Sequence, residues 1–273
     1  MAAASQIIDT HVHILQPSRF DYHWLKAGSA LDKDFCLADV REEMKSLGVV
    51  GGILIEAANT PEEISWLLEI SETDDLSWGV IGWINLEQAD TLEHVTYFAR
   101  HPNFRGVRLN WLQPRSQTAL LSEAVSLIGG SNLVVDVLAG WEYLSDITAF
   151  ISAHTGVSFI LEHLGGTAIP DTPLPAFRAM MQPFAALPNV AVKISGYTDP
   201  ALHNSAQIPF RAYVEVALDL FGSHRLMFGS NYPMNTTSYA EIVTLLQQAT
   251  DDLGETVQTA LFYETARQIY HFS

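Results

Sequence analysis

The sequence predicts a (β/α)8 barrel, and three observations predict it. Eight short apolar runs are spread over 273 residues, a longer amphipathic stretch lies between most neighbouring runs, and reactive polar residues gather where the runs end. The runs are 7–14, 49–57, 78–86, 104–110, 133–139, 157–163, 190–196 and 225–231, each rich in Val, Ile, Leu or Phe. Continuous apolar runs of this length fit strands buried on both faces, as in a parallel sheet. The stretch 61–73 reads as a helix, with Thr60 as N-cap, Pro61 at the first helical position and Glu62 and Glu63 in the first turn. Segments 89–101, 117–129, 141–155, 174–187, 209–221 and 238–250 follow the same logic, and 254–271 closes the chain. The spacing between strands is too long for hairpins and suits helical crossovers. The rival architecture is a doubly wound open sheet. No glycine-rich phosphate loop follows the first strand, and the strand count favours closure. With no linker or repeat, residues 1–273 read as one domain.

Composition narrows the function. With 14 basic and 31 acidic side chains, the net charge of −17 argues against a nucleic-acid partner. A small anionic ligand stays open, because a few inward Arg and His residues make a local positive pocket. No apolar run reaches the roughly 20 residues needed to span a bilayer. Residues Met1 to Gln6 lack the basic and apolar regions of a signal peptide. The single cysteine, Cys36, excludes an intramolecular disulfide and suits a reducing compartment, so a cytoplasmic location is expected. The sequon at Asn235 reads as chance.

In a barrel of this class the active site lies at the C-terminal ends of the strands. The first run carries His11 and His13, two residues apart; regular alternation puts both on one face with Asp9. The second ends near Glu56, the fourth carries Arg108 and Asn110, and the fifth carries Asp136. The sixth ends in Glu162 and His163, the seventh carries Lys193 and Ser195, and the eighth ends in Ser230, Asn231 and Tyr232. Each has a plain structural reading: a packed histidine, an Arg108 ion pair with Asp136 or Glu56, a bracing Lys193. Their convergence on one mouth favours function, since burying such a set without function is costly.

The ordered segments Asp9-Thr10-His11-Val12-His13, Gly106-Val107-Arg108, Leu161-Glu162-His163-Leu164-Gly165-Gly166, Val192-Lys193-Ile194-Ser195-Gly196 and Met227-Phe228-Gly229-Ser230-Asn231-Tyr232-Pro233 resemble the amidohydrolase superfamily. Within it the chain is most similar to the branch of sugar-acid and pyrone lactonases, as is Phe20-Asp21-Tyr22-His23-Trp24-Leu25. The resemblance implies a (β/α)8 barrel and a hydrolase that opens the ring of a sugar-acid or related carboxylated lactone. It implies catalytic roles for His11, His13, His163 and Asn231, with His163 polarising the substrate carbonyl. It places Arg108 on a substrate carboxylate or carbonyl. Lys193, Tyr232, Glu56 and Asn110 complete the expected substrate-binding set.

Asn231 stands where the hydrolases usually place an aspartate that accepts a proton from water. A carboxamide has no useful basicity, so a histidine must serve as base or the reaction differs. A natural change, an engineered one and an inactive protein are all compatible with this residue. Isomerisation of an aldarolactone by acyl transfer is the first alternative, followed by a non-catalytic sugar-acid-binding protein and a metal-dependent decarboxylase. No tightly bound metal is expected, because Asn231 removes an anionic ligand. A divalent ion such as zinc would fall to His11, His13 and His163.

Overall fold

A computed structural model of the chain describes residues 6–166, 172–198, 210–235 and 237–272. The strands are β1 (Ile7–Val12), β2 (Val49–Ile55), β3 (Ser77–Gly82), β4 (Phe104–Trp111), β5 (Val134–Ala139), β6 (Ser158–Leu161), β7 (Val190–Ile194) and β8 (Leu226–Phe228). They form one sheet in sequence order, every neighbouring pair parallel. The residues after β8 join β1. Val12 bridges Tyr232, the Asn231 N–H donates to the His11 carbonyl at 2.8 Å, and the His13 N–H donates to the Tyr232 carbonyl at 2.7 Å. The sheet thereby curls into the (β/α)8 barrel that the alternation predicts. The same bonds lock the backbones of His11, His13 and Asn231 together.

The helices are α1 (Arg41–Ser46), α2 (Pro61–Thr73), α3 (Thr91–Phe98), α4 (Ala119–Gly130), α5 (Leu144–Ser152), α6 (Leu174–Ala185), α7 (Phe210–Phe221), α8 (Tyr239–Ala249), α9 (Glu255–Thr259) and α10 (Thr265–Ile269). α2 starts as its sequence indicates, with the Thr60 hydroxyl accepting from the Glu62 N–H. α8 starts on a reciprocal box between Ser238 and Glu241. α1 has no counterpart in the reading of the sequence, because six residues are too few to show a helical period. The run 254–271 is interrupted by a π turn at Ala260–Glu264, which a 3.6-residue period does not reveal. Residue 209 of the expected seventh crossover helix and Thr236 of the sequon lie outside the described residues.

Apolar side chains fill two layers. One lies between sheet and helices, where Leu54, Val80 and Val107 belong to the same cluster as Ile64, Val95 and Val125. The other fills the barrel, where Ile8, Ile53, Ile81, Val134, Ile160 and Met227 pack with Ala266, Tyr270 and Phe272 from the C-terminal segment. Each fully buried Val, Leu, Ile, Phe or Met among them contributes roughly 1.5–3 kcal/mol. No helix among the described residues is long and apolar enough to cross a membrane.

Regular alternation along β1 fails at one point, and this corrects the placement of Asp9. The register against β2 shifts between Asp9 and Val12. Ile8 faces the barrel interior and His11 does too, but Asp9 turns toward α8, where the Tyr239 hydroxyl donates to it at 2.9 Å. Its other oxygen accepts from the His11 N–H at 3.1 Å and the Ser230 N–H at 2.8 Å. An irregularity of this kind re-aims a side chain. Asp9 braces the β1–β8 seam and does not join the histidines.

Candidate active site

The two histidines of β1 meet at their tips, with Nε2 of His11 3.1 Å from Nε2 of His13. Nδ1 of His13 lies 3.0 Å from the Ile55 carbonyl. A carbonyl only accepts, so His13 carries its proton on Nδ1 and presents a lone pair at Nε2. Burial, reinforced by Arg108, pushes His13 down to about 3. Burial, then His163 and Lys193, pulls His11 well below the ordinary imidazole range. Both rings are therefore neutral at physiological pH.

The third histidine comes from a turn that ends β6 earlier than expected. The strand stops at Leu161, and His163 and Leu164 take left-handed backbone angles, φ 53° and 56°. Asn231 does the same after β8, at φ 59°. Such conformations are costly for residues with a side chain and cluster at functional sites. His163 is held twice by Ser195: its N–H donates to Oγ at 3.3 Å, and its Nδ1 lies 2.9 Å from the same oxygen. Its ring centroid is 4.6 Å from that of His11. Gly229 lets these parts approach, since a Cβ there would sit 2.8 Å from Cβ of His11 and 3.0 Å from Cβ of Ser195.

Beneath the histidines, charges pair by alternate strands. Arg108 of β4 donates from Nε to both oxygens of Glu162, at 3.1 Å each, and from Nη2 to one of them at 2.6 Å. Its Nη1 lies 3.4 Å from a Glu56 carboxylate oxygen. Burial alone would raise the Glu162 carboxyl, but Arg108, Lys193 and His163 outweigh it and hold it down to about 2. Burial raises Glu56, with Arg108 offsetting only part of the effect. Asp136 of β5 belongs instead to Lys193 of β7, and the Tyr270 hydroxyl donates to it at 3.0 Å. Barrel interiors are built in layers from alternate strands. That is why Arg108 pairs with residues after β2 and β6 and not with Asp136, its register partner on β5.

A cavity of about 620 Å³ opens above this floor, a size typical of small-molecule sites. His13, Arg108, Asn110, His163 and Asn231 line it. His11, Glu56 and Lys193 do not; they are fully buried behind it. Tyr232 also stays outside, packing edge-on against Phe35. Glu56 and Lys193, expected to bind substrate, are held in ion pairs with Arg108 and Asp136, and Tyr232 is held in the β1–β8 seam. The other wall comes from the long connection after β1, through His23, Trp24 and Lys26, and from Asn59 after β2. In the sequence, residues 20–25 carry only a family resemblance. The signal for a role was the length of a connection that carries almost no regular structure.

The wall after β2 depends on Glu63, whose Oε2 accepts the N–H groups of Ala57 and Ala58 at 2.8 and 2.9 Å. Burial, then repulsion from Glu56, raises its carboxyl from 4.5 to about 8. Between those values the folded chain keeps a proton that the unfolded chain releases, so stability falls as pH rises through that window. Glu63→Gln keeps an acceptor and removes the titration. Its melting temperature relative to the parent should therefore rise between pH 5 and pH 8.5; a constant difference contradicts this assignment.

His11, Glu162 and His163 each offer a ligand atom within 4.8 Å of the others, and all three are buried. His11 Nδ1 is buried without a hydrogen-bond partner, 3.9 Å from a Glu162 oxygen. A bare nitrogen facing a carboxylate, with His163 close by, fits a divalent cation. The fixed tautomer of His13, set by the Ile55 carbonyl, is the outer support such ligands usually have. Glu162 joins this set although only the histidines were expected.

The amidohydrolase family model matches residues 8–272. An L-fucono-1,5-lactonase of Burkholderia multivorans (strain ATCC 17616 / 249) is 29% identical, covering 96% of this chain and 95% of its own. The crystal structure of an amidohydrolase from Burkholderia multivorans with bound zinc is 28% identical, with a TM-score of 0.88 over 98% of this chain and 100% of that one. A putative 2-pyrone-4,6-dicarboxylic acid hydrolase from Pseudomonas putida shares the fold, with a TM-score of 0.79 at 20% identity over 99% of both chains. The convergence of histidines, arginine and asparagine at one barrel mouth agrees with these likenesses: this chain belongs to the amidohydrolase family.

Proposed function

We propose that this chain hydrolyses the ring ester of a sugar-acid lactone. The observation that carries this reading is the meeting of His13, Arg108, His163 and Asn231 at one cavity, in a chain similar over nearly its whole length to an L-fucono-1,5-lactonase. The lactone carbonyl points toward Arg108 and His163, whose N–H groups stabilise the negative charge that develops on oxygen. The Asn231 amide orients the attacking water, and cannot take its proton. That proton passes to the imidazole floor, where His13 is neutral and lines the cavity. The water oxygen bonds to the carbonyl carbon, the ring C–O bond breaks, and the proton returns to the departing ring oxygen. The product is a carboxylic acid with a free hydroxyl, and the acid then loses its proton to solvent as a carboxylate.

A divalent cation, held by His11, His163 and Glu162, would polarise the carbonyl and acidify the water when bound. The solved relative with zinc supports that fit. We place the reaction in the cytoplasm, where the lone exposed Cys36 stays reduced.

Asn231 favours one second reading, isomerisation by acyl transfer between ring hydroxyls, which needs no activated water. Incubation with a panel of aldonolactones, aldarolactones and pyrone carboxylates, followed by proton NMR, separates the two. Ring-opened acid is expected; a rearranged lactone, or no change in any member, contradicts the hydrolase.

A further inference from the structure

We infer that the loops after β1 and β2 and the C-terminal end of β4 form a subsite that reads a ring hydroxyl of the substrate, through Asn110 held by Asn59 and His23. The inference rests on the lactonase reading above and adds the substrate's chemistry at the end remote from the carbonyl.

All three residues line the cavity. The Asn110 Nδ2 donates to Asn59 Oδ1 at 3.0 Å, and Asn59 Nδ2 lies 3.2 Å from His23 Nε2. An amide nitrogen donates, so His23 presents a lone pair at Nε2 and the chain of bonds runs one way. Asn59 is fixed at its backbone as well. It takes a left-handed φ of 51°, which asparagine tolerates, and its N–H donates to Glu56 at 3.1 Å. The direction of the chain decides what Asn110 has left to offer. Its Oδ1 is buried and has no hydrogen-bond partner.

An unpaired buried acceptor is unfavourable until a donor reaches it. A hydroxyl supplies a donor; a carboxylate has no hydrogen to give. Beside this wall stands Trp24, pinned by its Nε1 to the Ala57 carbonyl at 2.7 Å and 41% exposed. Its ring offers an apolar face for the C–H side of a sugar ring. The charge balance agrees. Arg108 is already compensated by Glu162 and Glu56, and the other cation of the cavity, Lys26, sits on the exposed rim. The wall suits a hydroxylated, uncharged ring over a dicarboxylate.

The test compares kcat/KM for the best 1,5-aldonolactone of a panel with that for δ-valerolactone, the same ring without hydroxyls. Wild type should prefer the hydroxylated ring. Asn110→Leu should shrink that preference by about 10- to 100-fold, the scale of a buried polar group left without its partner. His23→Phe, at an exposed position, should shrink it by about 10-fold through loss of orientation, and His23→Gln, which keeps an acceptor, should restore it. Calorimetric binding of the matching hydroxylated lactam and of δ-valerolactam gives the same comparison without turnover. If no lactone is opened, the hydrolase reading fails and the lactam arm still decides the subsite. An undiminished preference in Asn110→Leu and His23→Phe, or a wild type that favours 2-pyrone-4,6-dicarboxylate, would overturn it.

Discussion

Asn231→Asp should raise the hydrolytic kcat by about 10²-fold, the scale of a positioned general base. The side chain lies at the cavity beside His13 and His163, and its backbone is locked to His11, so a carboxylate there meets the water without moving the chain. The bases now present are weak: burial keeps His13 at about 3. The same change should tighten zinc binding by at least about 10-fold in calorimetric titration, because it adds an anion next to three imidazoles. An unchanged kcat together with unchanged zinc affinity would remove position 231 from the water's surroundings.

Arg108→Met should cost about 3–5 kcal/mol of stability at pH 7, the usual result of leaving one member of a buried ion pair alone. Glu162 accepts three close N–H contacts from Arg108 and is wholly buried. In the parent its carboxyl is held at about 2, against 4.5 in the unfolded chain. The stabilisation is therefore complete above pH 4.5 and is lost as pH falls toward 2. The double variant Arg108→Met with Glu162→Gln should regain most of the stability, since neither charge is then stranded. It should not regain activity, which falls by about 10²–10³-fold when a donor to the developing oxyanion is removed. Urea unfolding at pH 7 checks the first part; a loss below about 1 kcal/mol in Arg108→Met contradicts the pairing.

The barrel was legible because buried parallel strands write themselves as apolar runs, and all eight appear within a few residues of their expected places. His11, His13, Arg108, His163 and Asn231 were legible for a related reason: polar residues at the ends of such runs have few other places to go. What stayed hidden depends on departures from regular geometry. The register shift in β1 turns Asp9 away from its neighbours' face. The left-handed turns at His163 and Asn231 end β6 and β8 early and aim those side chains at the cavity. The layering of alternate strands assigns Asp136 to Lys193 and Glu162 to Arg108, a choice that sequence spacing leaves open. The wall formed by His23, Trp24 and Asn59 lies in connections whose path is set by tertiary contacts such as the Trp24 bond to Ala57.

Water attack on the ring carbonyl of a lactone held at this mouth leaves an isotopic record. Turnover of the best lactone of the panel in water enriched in oxygen-18, with mass analysis of the product, tests it directly. Hydrolysis at the carbonyl places one heavy oxygen in the carboxylate of a ring-opened acid. A rearranged lactone that carries no heavy oxygen would show acyl transfer between hydroxyls and exclude attack by water.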